Sequence, residues 1–398
     1  MSNEAYVGRN NWNRPNTPYE DFIEQQGIPV HRGIGFRDTR DLALAPWKRM
    51  GGNGAFIELT GIGGLVGIYI VEIPGGGALN PEHHLYEEVI FVLEGRGTTE
   101  IWADGQSQKQ VFEWQAGSVF TPPLNTWHTI INASSSPALL LVQTNAPPIM
   151  QTFRNQEFIF DTPFHFKDRY DPNEDYFKPW EDFETETLSQ RALNGGPLIP
   201  DAVNCEIPVD GQRGTGHRHF WLSVGHLMYG NLVNGRGQPG MGGNFSGGFI
   251  AQYSVGRYSK VHAHEPGPVL LCLAGKGYTL TWPTSAGTRP WESGTEDLVQ
   301  RVDYVPGGVV SAAPGGSDWF HGHFPVADEP LRVMAYLGGF PRRTEGPPGY
   351  KITFINEDIK HGGKTIEYRD EDPRIRALYE EVMAEAGARS NMPDEVFR

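Results

Sequence analysis

Short apolar runs rich in β-branched and aromatic residues recur along the chain, each bounded by glycine, proline or an Asp-Gly turn. That pattern predicts strands rather than helices. Between residues 54 and 144 the stretches GAFIELT, GLVGIYIVEI, EVIFVLEG, TTEIWAD, KQVFEW, SVFTP, WHTIIN and ALLLVQT predict about eight antiparallel strands, an all-β jelly-roll barrel. The pattern then returns. EHHLYEEVIFVLEGRG has a counterpart in HAHEPGPVLLCLAGKG: Gly95 and Gly97 precede Gly275 and Gly277 by 180 residues, and the same offset carries His84 onto His264. Further on, AGSVFTPPLNTWHTIIN finds its partner in PGGVVSAAPGGSDWFHGHF, at an offset lengthened by a longer hairpin. A duplicated β module follows from this self-similarity.

The expected division is a polar arm with little pattern (1–44), a first barrel (45–150), a connector (151–200), a second barrel (201–345) and a tail (346–398). The connector is acidic and lacks clear periodicity, but its many Phe and Tyr residues argue for order. One helix is predicted in the tail, with Asp372 as N-cap, Pro373 in the first position, Ile375, Leu378, Tyr379, Val382 and Met383 on one face, and Gly387 as stop. Edge strands and that helix need cover, from a barrel or a second subunit, so a homo-oligomer is expected.

Composition narrows the function. The 398 residues, 38% hydrophobic and 20% charged, suffice for two cores, and 50 glycines with 31 prolines agree with frequent turns. A net charge of −15 with no basic cluster argues against nucleic acid and anionic membranes as partners. The start MSNEAYVGRNNWNRPN has no apolar signal segment and no run of 18 apolar residues occurs, so a cytoplasmic protein is expected. Of the two cysteines, Cys272 falls inside the apolar run PVLLCLAGKG and reads as a buried thiol, so neither a disulfide nor a nucleophile is predicted.

The stretch PEHHLYEEVIFVLEGRG places two histidines and three glutamates in front of an unbroken apolar strand. With FTPPLNTWHTIIN it resembles the paired motifs of the cupin superfamily in its two-barrel (bicupin) form. Gly117, Pro123, Asn125, His128 and Asn132 match the second motif, with Asn125 where glycine is usual; asparagine tolerates the left-handed backbone best after glycine. In the first motif His84, Glu88 and Gly95 are in register, Glu82 stands at the first histidine position, and His83 is one residue out of step. Side chains two apart on a strand share a face, so if His84 points into the barrel Glu82 does too, and His83 points away. Glu82, His84, Glu88 and His128 converging inside a barrel would be very costly to bury without a cation, which makes a metal cup. A Glu–His hydrogen-bonded network without metal is the competing reading.

The second copy restores His262-x-His264, has Pro268 at the glutamate position, and offers His321 or, two residues on, His323 as third ligand. Three neutral imidazoles suit Fe(II), Zn(II), Ni(II) or Cu(II) and leave octahedral positions open. His217-x-His219 precedes that barrel's strands and reads as a surface or inter-domain pair. The glycine runs lack the strand-turn-helix context of a phosphate loop, and no Ser-His-Asp arrangement stands out.

A three-histidine site is similar to those of cupin dioxygenases, and that resemblance implies Fe(II) and a small anionic substrate, aromatic acids included. The His-Arg-His of gentisate dioxygenases is absent at the motif position in both copies. Because Glu82 and Glu88 would neutralise a cation in the first barrel, an oxygen-dependent step is expected in the second. The alternatives are a non-redox decarboxylase, lyase or isomerase using Mn(II) or Zn(II), with Glu82 or Glu265 moving the proton, and a bicupin that binds a small ligand without catalysis.

Overall fold

The computed structural model describes residues 15–62, 64–167, 169–172, 184–185, 192–194, 197–209, 211, 213–222, 248–264, 268–314, 318–336 and 357–398. The first part of the chain forms α1 (Pro18–Gln25), β1 (Val30–Gly33), β2 (Gly35–Phe36), β3 (Ala45–Trp47), β4 (Gly52–Leu59), β5 (Gly67–Ile73), β6 (Glu88–Glu94), β7 (Arg96–Trp102), β8 (Gln110–Gln115), β9 (Val119–Phe120), β10 (Trp127–Asn132) and β11 (Ala138–Thr144). Then come α2 (Ala146–Phe153), α3 (Gln156–Asp161), β12 (Glu184–Thr185), β13 (Ala192–Asn194) and β14 (Leu198–Ile199). The rest comprises β15 (Arg218–Leu222), β16 (Gly248–Tyr253), β17 (His262–His264), β18 (Val269–Ala274), β19 (Lys276–Pro283), β20 (Gln300–Tyr304), β21 (Val309–Ser311), β22 (Trp319–Val326), β23 (Leu331–Tyr336) and α4 (Pro373–Glu385).

Each module is a two-sheet jelly roll. In the first, a large sheet ordered β1-β4-β5-β11-β6-β9-β14, with β3 beside β4, faces the small sheet β10-β7-β8. In the second, β12-β13-β15-β16-β23-β18-β21-β2 faces β17-β22-β19-β20. The core path β4-β5-β11-β6-β9 is thus repeated as β15-β16-β23-β18-β21, which is the duplication read from the glycines. All eight strands expected in the first copy are present as β4 to β11.

Period-two alternation explains how the modules join. Along β11, Leu140 and Val142 enter the first module's core. Leu139 and Leu141 turn the other way, into a shared cluster with Val89, Phe91, Leu271, Leu273 and Met334. The two large sheets therefore pack face to face, and two crossing strands reinforce the contact. β2, from the supposedly patternless arm, pairs with β21 of the second module, whereas β14, from the connector, pairs with β9 of the first. The arm also contains α1, whose Thr17–Glu20 capping box is visible in the sequence but does not stand out amid polar residues. Tyr19, Phe22 and Ile23 of α1 are buried against the first barrel.

The tail helix forms where expected, with the Asp372 carboxylate accepting from Arg374 N–H. Its Ile375, Tyr379, Val382 and Met383 pack on Phe320, Phe324 and Trp282, the outward face of the second module's small sheet. The helix finds its cover within the chain and supplies no ground for a second subunit. Among the described residues no helix is long and apolar enough to cross a membrane. Cys205 and Cys272 are free thiols, the latter buried.

Gly95 and Gly275 have φ of 93° and 78°, and a Cβ on Gly95 would lie 2.6 Å from that of Ala138. Gly95→Ala is therefore expected to cost about 2 kcal/mol in urea unfolding, from left-handed strain plus overpacking.

Candidate metal centres

In the first module Glu82 and His84 lie just before β6, Glu88 opens that strand, and His128 sits on β10 with Glu82 bridged directly to it. One donor atom from each of the four lies within 4.8 Å of the others. His84 Nε2 is 3.6 Å and His128 Nε2 3.8 Å from Glu88 Oε2, while His128 Nε2 is 4.0 Å from Glu82 Oε1. The His84 and His128 rings are 5.6 Å apart.

The atoms facing away from the centre are all anchored. His84 Nδ1 is 2.8 Å from Tyr86 O and His128 Nδ1 3.1 Å from Thr126 O, so each ring donates there and presents its Nε2 lone pair inward. Tyr69 O–H donates to Glu88 Oε1 at 2.7 Å, and Arg49 Nη2 donates to Glu82 Oε2 at 2.9 Å. What remains is His84 Nε2, His128 Nε2 and Glu88 Oε2, buried and without a hydrogen-bond partner among the described residues. Their separations exceed hydrogen-bonding distance, so a metal-free Glu–His network does not satisfy them. A divalent cation, with ligands at about 2.0–2.2 Å, would satisfy all three at once. Burial drives His84 down to about 4 against the pull of Glu82, lowers His128, and raises Glu88. Each shift disfavours a bare charge in the cup.

His83 points away, as the alternation requires, with Nδ1 3.0 Å from Asn125 Oδ1 and its ring 4.1 Å from Trp127. Asn125 takes φ 54°, the conformation expected of a glycine substitute, and donates from Nδ2 to Thr162 O and Phe164 O. Motif and connector are tied together through that one amide.

Three residues beside the centre were not singled out from sequence: Arg49, Tyr69 and Tyr86. Tyr69 had a signal, since it alternates inward on GIYIVEI; Arg49, in a turn, had none. Tyr86 stacks on His84 at 3.7 Å. Together with Tyr19, Phe22 and Trp47 they line a space of about 10 Å³, room for about one water. Phe160 of α3 stacks under the Arg49 guanidinium at 4.0 Å.

In the second module all four histidines share the inner face of the small sheet. His262 pairs with His321 across β17 and β22, and His264 and His323 lie two residues further along their strands. Ring centroids are 4.2 Å apart for His262–His321, 4.4 Å for His264–His321 and 5.4 Å for His321–His323. The group whose donor atoms come within 4.8 Å of one another is His262, His321 and His323; His264, placed in the triad by the motif, is not in it. Burial, joined by the Arg213 guanidinium and neighbouring imidazoles, holds His262 and His321 well below the ordinary value and takes His323 to about 3. Glu265 lies outside the described residues. The surface reading of His217 does not hold: it is buried, with its ring 5.2 Å from Tyr253. The His219 side chain lies outside the described residues.

The fold and its two buried donor clusters define a two-module jelly-roll protein suited to divalent cations. Residues 69–144, within the first module, match the family model described as Cupin domain, and the second module repeats the strand path of the first. No curated protein matches. Solved structures of oxalate decarboxylase from Bacillus subtilis are similar. A two-residue deletion mutant shares 12% identity over 77% of this chain and 76% of that one, with a TM-score of 0.44. The form used to assign that enzyme's Mn(II) centres shares 13% identity over 77% and 78%, with a TM-score of 0.45.

Proposed function

We propose that the chain is a metal-dependent enzyme of non-redox type, a decarboxylase, lyase or isomerase, working at the first module's centre on a small carboxylic acid. The observation that supports it is the unequal treatment of two carboxylates. Glu88 is almost fully buried and fixed by Tyr69, as a permanent ligand should be. Glu82 is less enclosed, is held at one oxygen by Arg49, and keeps Oε1 at the edge of the cup, where a proton carrier is useful.

His84, Glu88 and His128 would hold the cation, which when bound supplies Lewis acidity toward a substrate oxygen. Glu82 Oε1 takes or returns the proton at the reacting carbon. Arg49 keeps that carboxylate aimed and adds positive charge for an anionic substrate.

The test is conversion of a panel of two- to six-carbon hydroxy, oxo and dicarboxylic acids under argon in D₂O, by protein loaded with Mn(II) or Zn(II). Products are read by NMR after the metal is removed. Carbon dioxide release or deuterium incorporation without oxygen is expected. Glu82→Gln should lower that rate by about 100-fold or more while leaving the metal bound. Turnover that requires dioxygen, with matching uptake at an oxygen electrode, would overturn the reading in favour of the Fe(II) dioxygenase expected from sequence.

A further inference from the structure

We propose that the second module holds a separate, all-nitrogen metal centre made by His262, His321 and His323, set deeper in the barrel than the first module's and selective for a borderline cation such as Zn(II) or Cu(II) over Mn(II) or Mg(II). This inference concerns a different site and stands whether or not the reaction assigned to the first module is right.

The strand registers show how the site was displaced. His128 pairs with Ile101 and Ile130 with Thr99 in the first module; His321 pairs with Thr281 and His323 with Thr279 in the second. His323 therefore occupies the place of Ile130, a core position one inward step further along the strand. At the same time the 180-residue offset puts Pro268 where the first module has Glu88. The second module has lost the carboxylate at the mouth and gained an imidazole below it.

The three rings are prepared for ligation in the same way as those of the first centre. His262 Nδ1 is 3.2 Å from Lys260 O and His321 Nδ1 3.3 Å from Trp319 O, each the carbonyl two residues earlier, as with His128 and Thr126. His323 Nδ1 is 3.0 Å from Thr279 Oγ1. With Nδ1 engaged, each ring has Nε2 left to offer, and all three residues are buried.

Metal choice follows from the donors. Neutral imidazoles bring no charge, and the nearby Arg213 repels any cation. Hard ions held chiefly by charge and oxygen ligands gain little there, whereas zinc and copper bind imidazole nitrogen strongly. The first cup, with two carboxylates, accepts hard and borderline ions alike.

The experiment titrates chelator-stripped protein with Zn(II) and separately with Mn(II), reading zinc by competition with a chromophoric chelator and manganese by EPR. Wild type should take two tight equivalents of zinc but one of manganese. His323→Ile, which installs the first module's residue, should weaken one zinc site by at least about 100-fold, since even outer-shell changes cost 10–100-fold. Its manganese signal should be unchanged, which also verifies that the variant is folded. His264→Ala should keep both zinc equivalents. Two tight zinc sites in His323→Ile, loss of one in His264→Ala, or two manganese equivalents in wild type would each overturn the proposal.

Discussion

Glu88→Gln is expected to empty the first centre, lowering its metal affinity by more than about 100-fold, and at the same time to make the metal-free protein more stable. The two effects share one cause. In the absence of a cation the Glu88 carboxyl is buried beside two imidazoles, and burial raises its pKa. A neutral amide of the same shape removes that desolvation cost while still accepting from Tyr69 O–H. Once metal is present the balance reverses, because the carboxylate supplies the charge and the central oxygen to which both His84 Nε2 and His128 Nε2 are closest. Added metal stabilises only the form that binds it, by an amount that grows with the logarithm of its concentration. In calorimetry the wild-type melting temperature should therefore rise with Mn(II) or Zn(II) by more than that of the variant, and turnover should fall with the lost metal. Tyr69→Phe, which frees the outer oxygen without touching the centre, should lie between, at about 10–100-fold in affinity. If Glu88→Gln keeps its metal within tenfold, the cup is not centred on Glu88.

Period two made most of this site legible. Once the motif resemblance set His84 inward, the same side for Glu82 and the opposite one for His83 followed from alternation. Glycines marked the repeat for a related reason: Gly95 and Gly275 share a left-handed turn that other residues adopt at a cost, so they survive in register after the rest has diverged. What failed to show were contacts made by long connections. Arg49 reaches Glu82 across 33 positions from a turn with no periodicity, and β2 pairs with a strand of the other module. Two residues in extended conformation carry no pattern to detect. The choice between His321 and His323 as third ligand was open for a different reason, since both face inward and alternation cannot separate them. The two differ in depth along the barrel, and depth depends on the register between β17, β22 and β19, which no sequence pattern shows.

The contribution of one buried carboxyl outside both donor clusters, Glu371, to folding stability should fall as pH rises from about 5 to 8, by at most about 5 kcal/mol. Glu371 precedes the N-cap of α4, is 3% exposed, and accepts from the Tyr258 hydroxyl through Oε1, while Oε2 has no partner among the described residues. Burial drives its pKa up to about 8, against the Tyr258 hydrogen bond and the Arg376 charge and with Asp372 assisting. In that window the folded chain keeps a proton that the unfolded chain releases near 4.5, so the native state binds more protons and loses stability with rising pH. The buried histidines act with the opposite sign. Their folded pKa values lie below the unfolded one, so their contribution is lost as pH falls below about 6.5. The informative quantity is therefore the difference between wild type and Glu371→Gln, in which the histidine contribution cancels. That variant retains an acceptor for Tyr258 and has no proton to release. In urea unfolding at pH 5, 6.5 and 8, with chelator throughout, it should gain on wild type steadily as pH rises. Parallel pH curves for wild type and Glu371→Gln would mean that the carboxyl ionises in the fold as readily as in the unfolded chain, and the buried acid beneath α4 would then have to be solvated.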